Sequence, residues 1–180
     1  MNLDDESFAR RAVEIEWLLL DVDGVLTDGR LYFGRLGQTL QAFDIKDGLG
    51  MKLAQQAGIK VGVLSARRSA AAERRAAELR LDAVLTGRND KGAAFEHFLA
   101  AQHTTAHRVA YVGDDLPDLA VLARCGLSFA PADAAAEVRA VAHRQLARAG
   151  GRGAVREAIE AILRARGDWE RVTAPFGGRG

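Results

Sequence analysis

Four short stretches of the chain are almost wholly apolar: Trp17–Leu20, Ile59–Leu64, Ala83–Leu85 and Val109–Val112. Runs of this length without polar alternation read as strands covered on both faces. The segments between them follow a helical period instead. Leu49, Leu53, Ala54 and Ala57 fall on one face, and Gly58 then supplies a stop. Ser69–Leu81 is rich in Ala, Arg and Glu, all strong helix formers. Lys91–Ala101 and Leu116–Arg124 read as the next helices, with Pro117 in a first turn, where its missing N–H costs nothing. A weaker fifth strand is expected at Leu127–Ala130, and a last helix from Ala154 to about Arg166. This alternation predicts an α/β fold: a doubly wound parallel, Rossmann-like sheet with right-handed crossovers. Ligands of such sheets bind at the carboxyl ends of the strands.

One segment breaks the alternation. Arg30–Phe33 and Thr39–Phe43 read as β arms around Gly34-Arg35-Leu36-Gly37, a hairpin flap over residues 30–43 that hangs over the end of the first strand. The intervals from Phe43 to Ser65 and from Ser65 to Lys91 are each consumed by a helix and a strand, which leaves no room for an inserted cap domain. The expectation is one domain over residues 1–172 and a mobile tail over residues 173–180.

Composition narrows the function classes. Hydrophobic content of 48% with 27% charged residues fits a soluble globular protein. No apolar run approaches the roughly 20 residues needed to cross a bilayer, so no membrane partner is expected. The mixed, acidic N-terminus is unlike a signal peptide. A net charge of +1 makes no case for nucleic acid. The single Cys125 excludes an intrachain disulfide, fits a reducing cytoplasm, and reads as a small buried hydrophobe. The four histidines, His97, His103, His107 and His143, show no ligand spacing.

The candidate chemistry lies at the strand ends. The first run ends in Asp21-Val22-Asp23-Gly24, the second in Ser65, and the fourth in Gly113-Asp114-Asp115 with Asp118 one turn on; Lys91 opens the third helix. A parallel sheet gathers these ends on one edge. Asp21, Asp23 and Asp114 can hold a hard cation such as Mg²⁺, without which such clustered acids resist ionising together. A carboxylate can attack a phosphoryl group, while Ser65 and Lys91 donate to its oxygens. Asp23, expected on the same side of the strand as Asp21, can protonate the leaving oxygen and then activate water. Asp115 reads either as a helix cap or as part of the chemistry. Asp118 reads either as an exposed first-turn acid or as a water-mediated metal contact.

This order resembles the haloacid dehalogenase superfamily of phosphatases, whose motifs match Asp21–Thr27, Ser65, Lys91 and Gly113-Asp114-Asp115 with Asp118. The resemblance implies that Asp21 is the nucleophile and Asp23 the general acid/base. It also implies that Mg²⁺ is held by Asp21, the backbone carbonyl of Asp23, and Asp114. Within the superfamily, Gln41–Gly48, Ser65-Ala66-Arg67-Arg68, Tyr111–Asp115 and Gly150–Glu157 look like the capless 3-deoxy-D-manno-octulosonate 8-phosphate phosphatases. That likeness implies a homotetrameric, cytoplasmic enzyme of lipopolysaccharide precursor synthesis, with neighbouring subunits completing each active site. Its implied substrate-binding residues are Asp23, Asp44, Ile45, Lys46, Asp47, Gly48, Arg67, Arg75, Lys91 and Arg152, the last in a Gly-Gly-Arg-Gly tail that reaches a neighbouring site. Asp44 stands where the family commonly has Asn, and Ser65-Ala66-Arg67 where it often has Thr-Gly-Arg. A phosphatase for a nine-carbon ulosonic acid 9-phosphate is the near alternative. A receiver-like binding module is the alternative from another class. Receivers carry their acceptor Asp after the third strand, whereas Ala83–Leu85 here runs into Thr86-Gly87.

Overall fold

Three of the four apolar runs form the middle of a six-stranded sheet in a computed structural model that describes residues 3–35 and 39–177. The fourth, Ala83–Leu85, expected to be covered on both faces, forms its edge with Val84 exposed. In chain order the strands are β1 (Trp17–Leu20), β2 (Tyr32–Phe33), β3 (Thr39–Leu40), β4 (Lys60–Leu64), β5 (Ala83–Leu85), β6 (Val109–Val112), β7 (Leu127–Ala130) and β8 (Arg144–Gln145). The helices are α1 (Asp5–Ala12), α2 (Ile45–Gln56), α3 (Ala70–Glu78), α4 (Lys91–Ala101), α5 (Leu119–Leu122), α6 (Ala136–Val141), α7 (Ala154–Ala165) and α8 (Trp169–Thr173). The sheet order is β5-β4-β1-β6-β7-β8, and every pair in it is parallel. The chain builds outward from β1 to one edge, returns to β6 on its other side, and builds to the opposite edge. That reversal beside β1 opens a crevice at the strand ends. Leu20 pairs with Val63 on one side and Val112 on the other, so β1, β4 and β6 end level with one another.

The sheet carries a core on each face. Leu18, Leu20, Val61, Val63, Ala110 and Val112 pack with residues of α1, α2 and α7. Trp17, Leu19, Leu64, Val109 and Tyr111 pack with residues of α4, α5 and α6. Side chains of a strand alternate between faces, so an unbroken apolar run is what two covered faces require. Short polar residues fix where the helices start. Asp44 accepts from the Lys46 N–H (2.7 Å), Ser69 from Ala72 (3.2 Å) and Asp90 from Ala93 (2.9 Å). Cys125 is a buried free thiol.

Several elements differ from expectation. The charged N-terminal segment forms α1, capped by Asp4, because Phe8 and Ala12 supply one buried face. Strand β8 is two polar residues long and escapes any pattern search. Leu116–Arg124 is a 3₁₀ turn over Leu116–Asp118 followed by the short α5. The hairpin pairs Tyr32 with Leu40 and Phe33 with Thr39, so its arms are shorter than expected; residues 36–38 of its turn lie outside the described residues. The segment expected as a tail includes the end of α8 and a 3₁₀ turn over Ala174–Phe176, and residues 178–180 lie outside the described residues. The intervals before β4 and before α4 hold only α2, and α3 with β5, so neither contains a cap domain. No helix among the described residues is long and apolar enough to cross a membrane.

Candidate active site

β1 ends at Leu20 and delivers Asp21 to the crevice, where its N–H donates to the Val112 carbonyl (3.0 Å). The chain then winds instead of running on extended. The N–H groups of Leu26 and Thr27 both reach the Val22 carbonyl at 3.0 Å. Asp21 and Asp23 both lie beyond the end of β1, so the pleat does not bring them to one side as expected. A tight turn sets the direction of Asp23, and the two carboxylates have different partners.

Asp21 is only 6% exposed and sits 2.8 Å from Lys91 Nζ. Lys91, 3% exposed, also donates to Asp118 Oδ1 at 2.6 Å, and the Tyr111 hydroxyl donates to the same oxygen at 2.5 Å. The other Asp118 oxygen accepts from the backbone N–H groups of Asp114 (3.0 Å) and Asp115 (3.3 Å). Asp118 is thus wholly buried, and the expectation of an exposed first-turn acid is overturned. The 3₁₀ turn rolls it inward, beneath the loop that bears Asp114. Asp115 is the cap of that turn, accepting from the Leu116 N–H at 2.8 Å.

The electrostatics of this corner are unbalanced. Oxygen atoms of Asp21, Asp114 and Asp118 lie within 4.8 Å of one another. Burial, reinforced by the Asp118 charge and opposed by Lys91, pushes the Asp21 pKa up to about 6. Burial, with the charges of Asp21 and Asp118, pushes Asp114 up to about 8. Burial also disfavours the Lys91 charge, but Asp21 and Asp118 together hold its pKa above the ordinary value. One ammonium faces three acids, and buried Asp114 Oδ1 has no hydrogen-bond partner. A hard divalent cation is the group that would relieve both conditions. Gly24 makes the approach possible: it adopts φ +91°, and a Cβ there would lie 2.0 Å from Asp114 Oδ2.

Asp23 lies on the other flank. The Arg67 guanidinium grips it in a fork, Nε to Oδ2 at 2.9 Å and Nη2 to Oδ1 at 2.7 Å. The hydrogen bond to Asp23 holds the Arg67 pKa above its ordinary value. Gln41 Nε2 adds a third bond, to Oδ1, at 2.6 Å. Ser65 is fastened at the end of β4 by its N–H on the Leu85 carbonyl (2.8 Å), and its hydroxyl donates to the Arg67 carbonyl (3.1 Å). Asp21, Asp23, Ser65, Arg67, Lys91 and Asp114 together line a cavity of about 310 Å³.

Asp115 and Asp118 line that cavity too, whereas the remaining residues implied to bind substrate do not. Asp44 caps α2, Ile45 is 81% exposed, and Lys46 lines a separate cavity with Arg148 and Arg156. Asp47 is buried, accepts from the Arg156 N–H at 2.7 Å, and is pushed up to about 6 by burial. Gly48 lies beneath Arg75, which pairs with Glu78 at 3.0 Å. The Gly150–Gly153 segment is no free tail, because α7 follows it directly. Gly150 and Gly151 press on the back of the loop that carries Asp21 and Asp23. A Cβ on Gly150 would lie 1.8 Å from the Gly24 carbonyl oxygen, and the Gly151 N–H donates to Val25 at 2.9 Å. Arg152 is exposed.

No protein-family model matches the chain. It is 41% identical to the 3-deoxy-D-manno-octulosonate 8-phosphate phosphatase of Haemophilus influenzae over 153 residues, which cover 85% of each chain. The chain belongs to the 3-deoxy-D-manno-octulosonate 8-phosphate phosphatase family. The family member from Moraxella catarrhalis, solved in complex with magnesium, phosphate and the sugar acid, superposes with a TM-score of 0.92 at 33% identity, covering 95% of this chain and 98% of that one. A hydrolase from Legionella pneumophila, of the haloacid dehalogenase superfamily, superposes with a TM-score of 0.91 at 34% identity, covering 97% of this chain and 96% of that one.

Two residues of this family member's site were not anticipated as such. Tyr111 sits inside an apolar run, and only its inward face beside Asp118 gives it a polar role. Gln41 follows the second hairpin arm, where its type carries no local signal. Both act through hydrogen bonds to residues distant in sequence.

Proposed function

We propose that the chain hydrolyses 3-deoxy-D-manno-octulosonate 8-phosphate to the free sugar acid and phosphate. The observation that carries this reading is the pairing of buried Asp21 with Lys91 on one side of the cavity and Asp23 on the other. Asp21 and Asp114 would hold Mg²⁺ with the Asp23 carbonyl. Asp118 is placed to organise rather than ligate, since its oxygens already take bonds from Lys91, Tyr111 and two backbone N–H groups. Bound there, the ion would neutralise the acids and screen an incoming phosphate from them.

The chain's own groups account for the rest. Lys91 Nζ and Ser65 Oγ donate to the phosphoryl oxygens. An Asp21 oxygen attacks phosphorus, the ester P–O bond breaks, and Asp23 gives its proton to the leaving sugar oxygen. The resulting aspartyl phosphate is then cleaved by water. Asp23 takes a proton from that water, the water oxygen bonds to phosphorus, and the Asp21–phosphorus bond breaks. Steady-state phosphate release across the eight-carbon 8-phosphate, nine-carbon ulosonic acid 9-phosphates and simple sugar phosphates tests the assignment. A kcat/KM for the eight-carbon substrate no higher than for the others rejects it.

The acids predict a pH signature for the ion. Asp21 and Asp114 both have folded values above the ordinary 3.8. In metal-free protein, the stability that goes with their protonated forms is full below about pH 4 and is lost as pH rises through about 6 and about 8. Mg²⁺ binds the ionised forms, so it should raise the melting temperature more at pH 8 than at pH 5. Equal shifts at both values would reject this site as the place of binding.

The hairpin supports a homotetramer in which neighbouring copies complete the site. Tyr32, Phe33 (73% exposed), Leu40 and Ile45 present an apolar surface left exposed among the described residues. Ile45, Lys46 and Arg152 are then free to act on a neighbour's substrate, whereas Asp47 is occupied with α7. A monomer by light scattering at working concentration would remove this arrangement. The same reading places the enzyme in the cytoplasm, in lipopolysaccharide precursor synthesis. Build-up of the sugar phosphate in the soluble fraction of cells lacking the chain is the expected result.

A further inference from the structure

We infer that Gln41, on the segment leaving the hairpin, is a positioning residue that orients Asp23 for proton transfer. The inference rests on the phosphatase reading above. A carboxylate only accepts hydrogen bonds, so the Gln41 amide nitrogen must be the atom facing Asp23 Oδ1 at 2.6 Å. Its oxygen then faces Ser69, whose hydroxyl donates to it. The Ser69 oxygen itself accepts the Ala72 N–H in the first turn of α3, at 3.2 Å. A continuous chain of hydrogen bonds therefore runs from a helix N-terminus through Ser69 and Gln41 to Asp23, each bond polarising the next.

Arg67 grips Asp23 as well, but as a cation lining the cavity it is also the group that meets an incoming anion. Gln41 is neutral and has no such second duty. An amide N–H can donate to a carboxylate oxygen, more strongly, and to the carbonyl oxygen of the neutral acid, so it serves Asp23 both before and after the proton moves. Gln41 also ties the acid/base to the flap, since it follows β3 directly.

Gln41→Met keeps the length of the side chain and removes the amide. Phosphate release is measured with the best sugar phosphate of the panel, whose alkoxide must be protonated as it leaves, and with p-nitrophenyl phosphate, whose phenolate need not be. A kcat/KM loss of about tenfold on the sugar phosphate is expected, the size of one hydrogen bond to a charged group. The loss on the aryl phosphate should stay within about twofold, because a good leaving group bypasses the acid. Equal losses on both substrates, or none, would overturn the positioning role while leaving the phosphatase reading intact. Ser69→Ala, which frees the amide to turn, should show the same split with a smaller loss, and it carries the test if circular dichroism shows Gln41→Met unfolded. A wild-type protein that releases phosphate from neither substrate overturns the phosphatase reading, and this inference with it.

Discussion

Asp21→Asn lowers phosphate release by at least ~10⁴-fold while the protein remains folded, the size of loss typical of a removed nucleophile. An amide of the same shape fills the same space beside Lys91, but it cannot form the acyl phosphate through which both halves of the proposed reaction pass. The stability effect should run the other way. Asp21 is one of three acids crowded within 4.8 Å, and burial holds its pKa near 6. Removing its charge relieves Asp114, and Lys91 keeps Asp118 at 2.6 Å. The melting temperature of the metal-free variant at pH 8 should therefore equal or exceed that of the wild type. Turnover within tenfold of wild type would reject Asp21 as the nucleophile, and a lower melting temperature at pH 8 would reject the repulsion.

The largest loss of stability is expected at Asp118→Ala, a residue that touches no substrate in the proposed reaction. Its two oxygens receive the Lys91 ammonium, the Tyr111 hydroxyl and the N–H groups of Asp114 and Asp115. Truncation leaves a lysine that is 3% exposed with Asp21 as its one remaining acid at 2.8 Å, and it strands a fully buried tyrosine hydroxyl. Breaking a buried pair by removing one partner costs about 3–5 kcal/mol. That is a large share of the ~5–15 kcal/mol that holds a domain together. Urea unfolding read by tryptophan fluorescence should show this loss, and a change below about 1 kcal/mol would mean that water replaces the carboxylate. Activity should fall as well, because Lys91 and the loop bearing Asp114 lose their common anchor.

What was legible in the sequence follows from where its physics is local. A covered strand needs an unbroken apolar run, so β1, β4 and β6 announced themselves, and the polar residues just beyond them fell into one crevice. Helix starts were legible for the same reason, since Ser69 sits where a cap is needed. For Asp118 the exposed reading fails and a place beside the metal site stays open; the exposed reading arose because an acid one residue past a proline looks solvated. Its burial depends on a turn that folds beneath a distant strand and on Tyr111 and Lys91 being there to meet it. Asp23 faces the same cavity as Asp21, as expected, but through a turn and not the pleat, because the strand stops at Leu20 and the Val22 carbonyl then gathers the following N–H groups. Strand β8 has little pattern of its own and is stabilised by what it packs against, whereas α1 carries a legible cap at Asp4, acids in its first turn and arginines in its last that went unread.

The Gly150–Gly151 brace has a consequence for the order in which a newly made chain becomes competent. Asp21 and Asp23 are made before their supports: Asp21 has no neighbour on its β6 side until Val112 emerges, and the loop after it has no backing until Gly150 and Gly151 arrive. Until that segment is made, the nascent chain carries its reactive carboxylates without a rigid loop to aim them. A product of translation interrupted before Gly150 therefore carries the motif but lacks the brace behind it.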